Sequence, residues 1–128
     1  MNLLQGKTIL FVDDEEYLRE VMSDWLGLAG ATVITAASAQ QGLEIAKQQR
    51  VDAILTDFRM PGKSGLWLIE SVTKELDYQP KLFICSGFTE LSGDELTKLP
   101  VDAIFGKPFD ESKIIQAIAS ALVKPTAV

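Results

Sequence analysis

Asp13 and Asp14 close one apolar run, Thr8-Ile9-Leu10-Phe11-Val12, and Asp57 closes another, Val51-Asp52-Ala53-Ile54-Leu55-Thr56. Two further runs end in Ser86 and in Lys107-Pro108. Acids, a hydroxyl and an ammonium therefore each stand just past a short β-like segment. If these segments are parallel strands of one sheet, their C-terminal ends converge on a single crevice, where open α/β sheets bind ligands. Oxygen donors grouped around one ammonium suit a divalent metal and a phosphoryl group.

Composition narrows the chemistry further. The chain has no histidine, which removes His-based acid/base catalysis, Ser-His-Asp triads and ordinary zinc sites. Carboxylates, hydroxyls, Lys and a metal remain. The net charge of −6 runs against a nucleic-acid footprint, which needs clustered Lys or Arg. One cysteine, Cys85, lies in an apolar stretch; it cannot form an internal disulfide and reads as a buried thiol in a reduced, cytoplasmic setting. No stretch approaches the roughly 18 apolar residues of a membrane span.

With 128 residues at 47% hydrophobic content, the chain is long enough for one ordinary core. Short apolar runs alternate with segments of helical period. Leu18, Val21, Met22, Trp25, Leu26 and Ala29 predict a helix over Glu15 to Ala29, stopped by Gly30. Ala31 to Thr35 is a short strand, and Ser38-Ala39-Gln40-Gln41 has the spacing of a capping box for a helix to about Gln49. The segment Arg59 to Gly65 is a loop by its Pro and Gly content, with Ser64 as a cap. Leu66, Ile69, Val72 and Leu76 define a third helix. Lys81 to Cys85 is a strand, Glu90 to Leu99 a weak helix interrupted by Gly93, and Val101 to Phe105 the last strand. Asp110 caps a final helix with Ile114, Ile118, Ala121 and Leu122 on one face. Five β-α units call for a mostly parallel sheet with helices on both faces.

Phe11-Val12-Asp13-Asp14-Glu15, Thr56-Asp57-Phe58-Arg59-Met60-Pro61-Gly62, Ser86-Gly87 and Lys107-Pro108-Phe109 together resemble the receiver domain of bacterial two-component response regulators. The resemblance spans about residues 6 to 124. It implies a flavodoxin-like, doubly wound (βα)5 three-layer sandwich with parallel strand order 2-1-3-4-5. Residues 1–124 then form the receiver, and 125–128 a tail or a truncated linker. The implied function is acceptance of a phosphoryl group from a sensor histidine kinase or phosphotransfer protein onto Asp57. Mg2+, or Mn2+ in its place, is the implied cofactor. Partners would be that donor, an output domain or target protein, and a second copy through the face of the fourth helix, last strand and last helix. Nucleic acid and membrane are not expected partners, nor is this chain expected to be an enzyme beyond assisting its own phosphotransfer and dephosphorylation.

Each implied role has a physical reason. An Asp57 oxygen at a strand end can attack phosphorus in line and form an acyl phosphate; taken alone, Asp57 reads more readily as a turn-capping acid. Asp14 is the direct metal ligand, Asp13 a ligand directly or through water, and Asp57 with the backbone carbonyl of Arg59 completes the protein's share. An acidic first helical turn accounts for Glu15 and Glu16 through the helix dipole, but not for the second acidic position at Asp57. Lys107 pairs with phosphoryl oxygens as a point charge. Ser86 donates its hydroxyl and Gly87 leaves its N–H open to the same group. Ser86 moving inward and Phe105 rotating into the vacated space form the implied switch. The resemblance suggests a cis peptide before Pro108, which the sequence leaves open.

Some positions depart from the commonest family pattern: Lys63 stands where Met is frequent, Ser86 replaces Thr, Phe105 replaces Tyr, and Gly93 weakens its helix. Arg59 and Phe88 flank the site and bear on water access to the acyl phosphate. Three other readings compete for these residues. A haloacid-dehalogenase-type phosphatase needs a second acid two residues after its nucleophile, where this chain has Arg59. A flavodoxin-type electron carrier needs a Ser/Thr/Gly-rich first loop, where this chain has Asp13-Asp14-Glu15-Glu16. A phosphate-independent interaction module has no need of the full set of charged residues.

Overall fold

The structure is a computed structural model that describes residues 2–86, 100–106 and 109–123. Among these residues the chain forms β1 (Thr8–Val12), α1 (Glu16–Leu28), β2 (Thr32–Ala36), α2 (Ala39–Gln48), β3 (Ala53–Asp57), α3 (Gly65–Glu75), β4 (Lys81–Ser86), β5 (Ala103–Gly106) and α4 (Glu111–Val123). The strands pair in parallel in the order β2-β1-β3-β4-β5, the flavodoxin-like arrangement that the family resemblance implies. The expected helix over Glu90 to Leu99, with Gly93, lies outside the described residues.

The strands are apolar on both faces because both faces are covered. Along β1, Leu10 and Val12 enter one core with Ile54, Leu82 and Ile84, under α2 and α3. Ile9 and Phe11 enter the other with Leu55, Phe83 and Cys85, under α1 and α4. Period-2 alternation thus deals successive residues to two separate cores. Leu4 is fully buried, and its N–H bonds to Ala29 O at 2.8 Å, so the segment before β1 closes the second core from below.

The helix boundaries follow the local signals with instructive offsets. Gly30 takes φ 101° after α1, the left-handed stop. Ser38 Oγ accepts from Gln41 N–H at 3.1 Å, while Gln41 Oε1 reaches back to Ala37 N–H at 2.8 Å, one residue earlier than in a standard capping box. Ser64 Oγ accepts from Trp67 N–H and Asp110 Oδ1 from Lys113 N–H, both at 3.1 Å. In α3 the core residue is Leu68, fully buried, and not Leu66, which is half-buried. The helix begins with Gly65 against β3, which selects the stripe Gly65, Leu68, Ile69, Val72. The last strand starts at Ala103, later than expected, because Val101 and Asp102 form the turn into it.

That turn repeats an earlier one. The tetrapeptide Val-Asp-Ala-Ile occurs at 51–54 and at 101–104. Asp52 donates its N–H to Thr8 O at 2.8 Å and accepts Thr8 N–H on its carboxylate at 2.7 Å. Asp102 does the same with Leu82, at 2.7 Å for both bonds. Each acid ties its strand's entry to a neighbouring strand, at the end of the sheet opposite the site.

Candidate functional site

β1 lies between β2 and β3, so the connection order reverses beside β1, which is where a doubly wound sheet opens a crevice. Val12 pairs with Thr56, which brings the next residues, Asp13 and Asp57, level at the mouth of that crevice. One oxygen from each of Asp13, Asp14 and Asp57 lies within 4.8 Å of the others. Asp13 is fully buried and Asp57 is 5% exposed; Asp14 is exposed. Asp13 Oδ2 and Asp57 Oδ1 are both shut off from solvent.

Buried carboxylates this close repel one another by up to about 4 kcal/mol per pair at an effective dielectric near 20. Desolvation adds to that cost, so the cluster calls for a compensating cation. Its donors are all oxygen, without a histidine anywhere in the chain and with Cys85 packed into the core. A hard cation that accepts few carboxylates and keeps waters, such as Mg2+, fits this set.

Local structure aims these side chains. Asp13 N–H continues the sheet by bonding to Ala36 O at 3.1 Å. Asp13 Oδ1 accepts from Glu15 N–H at 2.9 Å, and Asp13 O accepts from Arg19 Nη1 at 2.8 Å. At β3, the buried Thr56 hydroxyl donates to Asp57 O at 3.1 Å. Phe58 N–H bonds to Cys85 O, and Gly65 N–H to Phe58 O, both at 2.9 Å. These two bonds clasp the intervening loop, in which Gly62 has φ 82°.

Ser86, 4% exposed, ends β4 one residue after Cys85, the partner of Asp57 in the ladder. Its side of the crevice is therefore the one next to Asp57. Phe105 is partly buried in the core under α1 and α4, and its ring stacks on Phe83 at 5.8 Å between centroids. Arg59 is exposed, with its guanidinium 6.0 Å from the Phe58 ring centroid; Lys63 Nζ lies 5.6 Å from the Trp67 ring centroid. Gly87, Phe88, Lys107 and Pro108 lie outside the described residues.

Three contributors escaped sequence reasoning: Arg19, Thr56 and Gly65. Arg19 stands six residues after Asp13 and reads as a solvated position on α1. Thr56 reads as an ordinary strand residue. Gly65 reads as one more loop glycine, although its place at the start of a helical stripe was a usable signal.

A family profile described as the response regulator receiver domain matches residues 9–119. Regulator of RpoS from Escherichia coli (strain K12) is 30% identical over 125 residues, which is 96% of this chain and 36% of that protein. Sporulation initiation phosphotransferase F from Bacillus subtilis (strain 168) is 28% identical over 120 residues, covering 93% of this chain and 96% of that one. The crystal structure of FixJ-N superposes with a TM-score of 0.82 at 30% identity, over 97% of this chain and 99% of that one. Chemotaxis protein CheY4 of Vibrio cholerae gives a TM-score of 0.80 at 26% identity, over 89% and 97% of the two chains. An acidic cluster at the switch point of a 2-1-3-4-5 sheet and a profile match across most of the length lead to one conclusion: the chain belongs to the response regulator receiver domain family.

Proposed function

We propose that Asp57 is the phosphoacceptor of a two-component pathway. The observation that carries this reading is the buried Asp57 carboxylate at the end of β3, within 4.8 Å of two further carboxylates. An Asp57 oxygen attacks the phosphorus of a phosphohistidine on a sensor kinase or phosphotransfer protein. The new O–P bond forms as the P–N bond breaks, and the electron pair returns to the imidazole nitrogen, which takes a proton from solvent. Asp13, Asp14, Asp57 and the carbonyl of Arg59 would hold Mg2+, which neutralises charge on the phosphoryl oxygens. Ser86, Gly87 and Lys107 complete the set that stabilises the phosphoryl group.

Residues 1–124 form this receiver, with 125–128 as a tail or linker. The protein acts as a phosphoacceptor that assists its own transfer, and its output lies in a partner or another domain. The similarity to Sporulation initiation phosphotransferase F over 96% of that protein's length supports a phosphotransfer role. The chain spans 36% of Regulator of RpoS, so a larger regulator is an equally coherent setting. Phosphorylation shifts the population of a Ser86–Phe105 switch, with Phe105 leaving its stack on Phe83. The surface so altered is the face for a target or a second copy.

Incubation with acetyl phosphate, with and without Mg2+, tests this reading by intact mass. A Mg2+-dependent gain of one phosphoryl group that vanishes in Asp57→Asn is the expected result. A folded protein that gains no phosphoryl group from acetyl phosphate, and none from a phosphorylated donor, is instead a phosphate-independent interaction module.

A further inference from the structure

We propose that Arg19 is a positioning residue for the metal-holding carboxylates, an inference that rests on the Mg2+ reading of the acidic cluster. Asp13 has its N–H committed to Ala36 O at 3.1 Å, its Oδ1 to Glu15 N–H at 2.9 Å and its carbonyl to Arg19 Nη1 at 2.8 Å. These three bonds fix the peptide on both sides of Asp13 and the plane of its carboxylate, and with them the direction of the buried Oδ2. Arg19 secures the one of the three that no backbone group supplies.

The β1–α1 connection needs this help. α1 opens at Glu15 without a side-chain cap, so ordinary capping does not hold the turn that carries Asp13 and Asp14. Arg19 N–H bonds to Glu15 O at 3.1 Å while its guanidinium returns to Asp13 O. One residue thereby joins the first turn of the helix to the first peptide after the strand, the one that links the two acids. Partners that orient metal ligands typically carry about 10- to 100-fold in metal affinity.

Charge makes the opposite prediction, which gives the inference its edge. A guanidinium beside a cation site repels the cation, so its removal should tighten binding if electrostatics governed. Glu16, Glu20 and Asp24 line the same surface hollow as Arg19, so negative charge on that side reduces its net repulsion of a cation. The inference requires that orientation outweigh what repulsion is left.

Mg2+ titrations by calorimetry of the wild type, Arg19→Ala, Arg19→Lys and Asp13→Asn test this, with the metal-free melting temperature measured alongside. Expected is a dissociation constant roughly tenfold weaker in Arg19→Ala and a smaller loss in Arg19→Lys, which keeps the charge without the planar fork. Wild-type affinity in a folded Arg19→Ala with a lowered melting temperature is the signature of a merely structural role and overturns the inference. Tighter binding overturns it as well. Should Arg19→Ala fail to fold, Arg19→Lys carries the comparison, and wild-type affinity there counts against the inference. If wild type and Asp13→Asn bind Mg2+ equally poorly, the metal reading itself falls, which is a distinct outcome from normal wild-type binding with an indifferent Arg19.

Discussion

The first residue of α3 rests directly on the backbone of Asp57: a β-carbon at Gly65 would overlap the Asp57 carbonyl and lie 3.0 Å from its carbon and 3.1 Å from Phe58 Cα. Glycine at this position lets the helix start against the strand end that presents the proposed phosphoacceptor. The obstacle is backbone, which cannot swing aside as a flexible side chain would.

Gly65→Ala is therefore expected to destabilise the fold by about 2–3 kcal/mol, the upper part of the usual overpacking cost. Its gain in helix propensity, at most about 1 kcal/mol, does not offset this. Urea unfolding measures the loss, and acetyl phosphate labelling should slow with it, because the strain falls on Asp57. Undiminished stability and labelling would show that β3 and α3 can part without consequence.

Asp13→Asn should change sign with Mg2+. Without metal it removes one member of the charge cluster while an amide oxygen keeps the bond from Glu15 N–H, so the melting temperature rises. With Mg2+ at 100 times its dissociation constant the wild type gains about 2.7 kcal/mol, and the variant loses most of that gain. Thermal melts with and without Mg2+ check both halves. A variant less stable than wild type in both conditions would contradict the repulsion argument.

Tyr78→Phe separates stability from site chemistry. The Tyr78 hydroxyl donates toward Ala46 O at 2.8 Å and Gln49 O at 3.1 Å and accepts Val51 N–H at 3.1 Å, under the Arg50 guanidinium 4.6 Å from its ring centroid. Its loss leaves these groups at the end of α2 without their partner, at a cost of about 1–3 kcal/mol. Mg2+ affinity should not change, since these contacts sit at the entry of β3 and the site at its exit.

Asp52→Ala and Asp102→Ala remove the same bond at two places, each about 1.5–3 kcal/mol for a hydrogen bond to a charged group. Asp52 should cost more, because it joins the central pair β1 and β3, whereas Asp102 joins β4 to the edge strand β5. The double variant should be additive, as the two acids share no described partner. Chemical denaturation of the three proteins decides this.

Apolar period, glycine stops and short polar caps made the strands and most helices legible in the residues, while the sheet order came from the family resemblance. These signals are local, and a parallel sheet with both faces covered follows from their alternation. Asp13, Asp14 and Asp57 were legible as a group because strand ends converge in such a sheet. Leu68 was not, since choosing between it and Leu66 depends on where α3 begins, and Gly65 sets that by contact with Asp57.

The sequence by itself determined which residues are available for chemistry: oxygen donors without histidine, placed one step past apolar strands. Only the tertiary structure decided how they are held. The bond from Arg19 to Asp13 O, the seat of Gly65 on Asp57 and the twin ties of Asp52 and Asp102 to neighbouring strands all join residues through space. No periodicity reports such contacts, because hydrogen-bond direction and close approach depend on how elements dock and not on the order of residues within them.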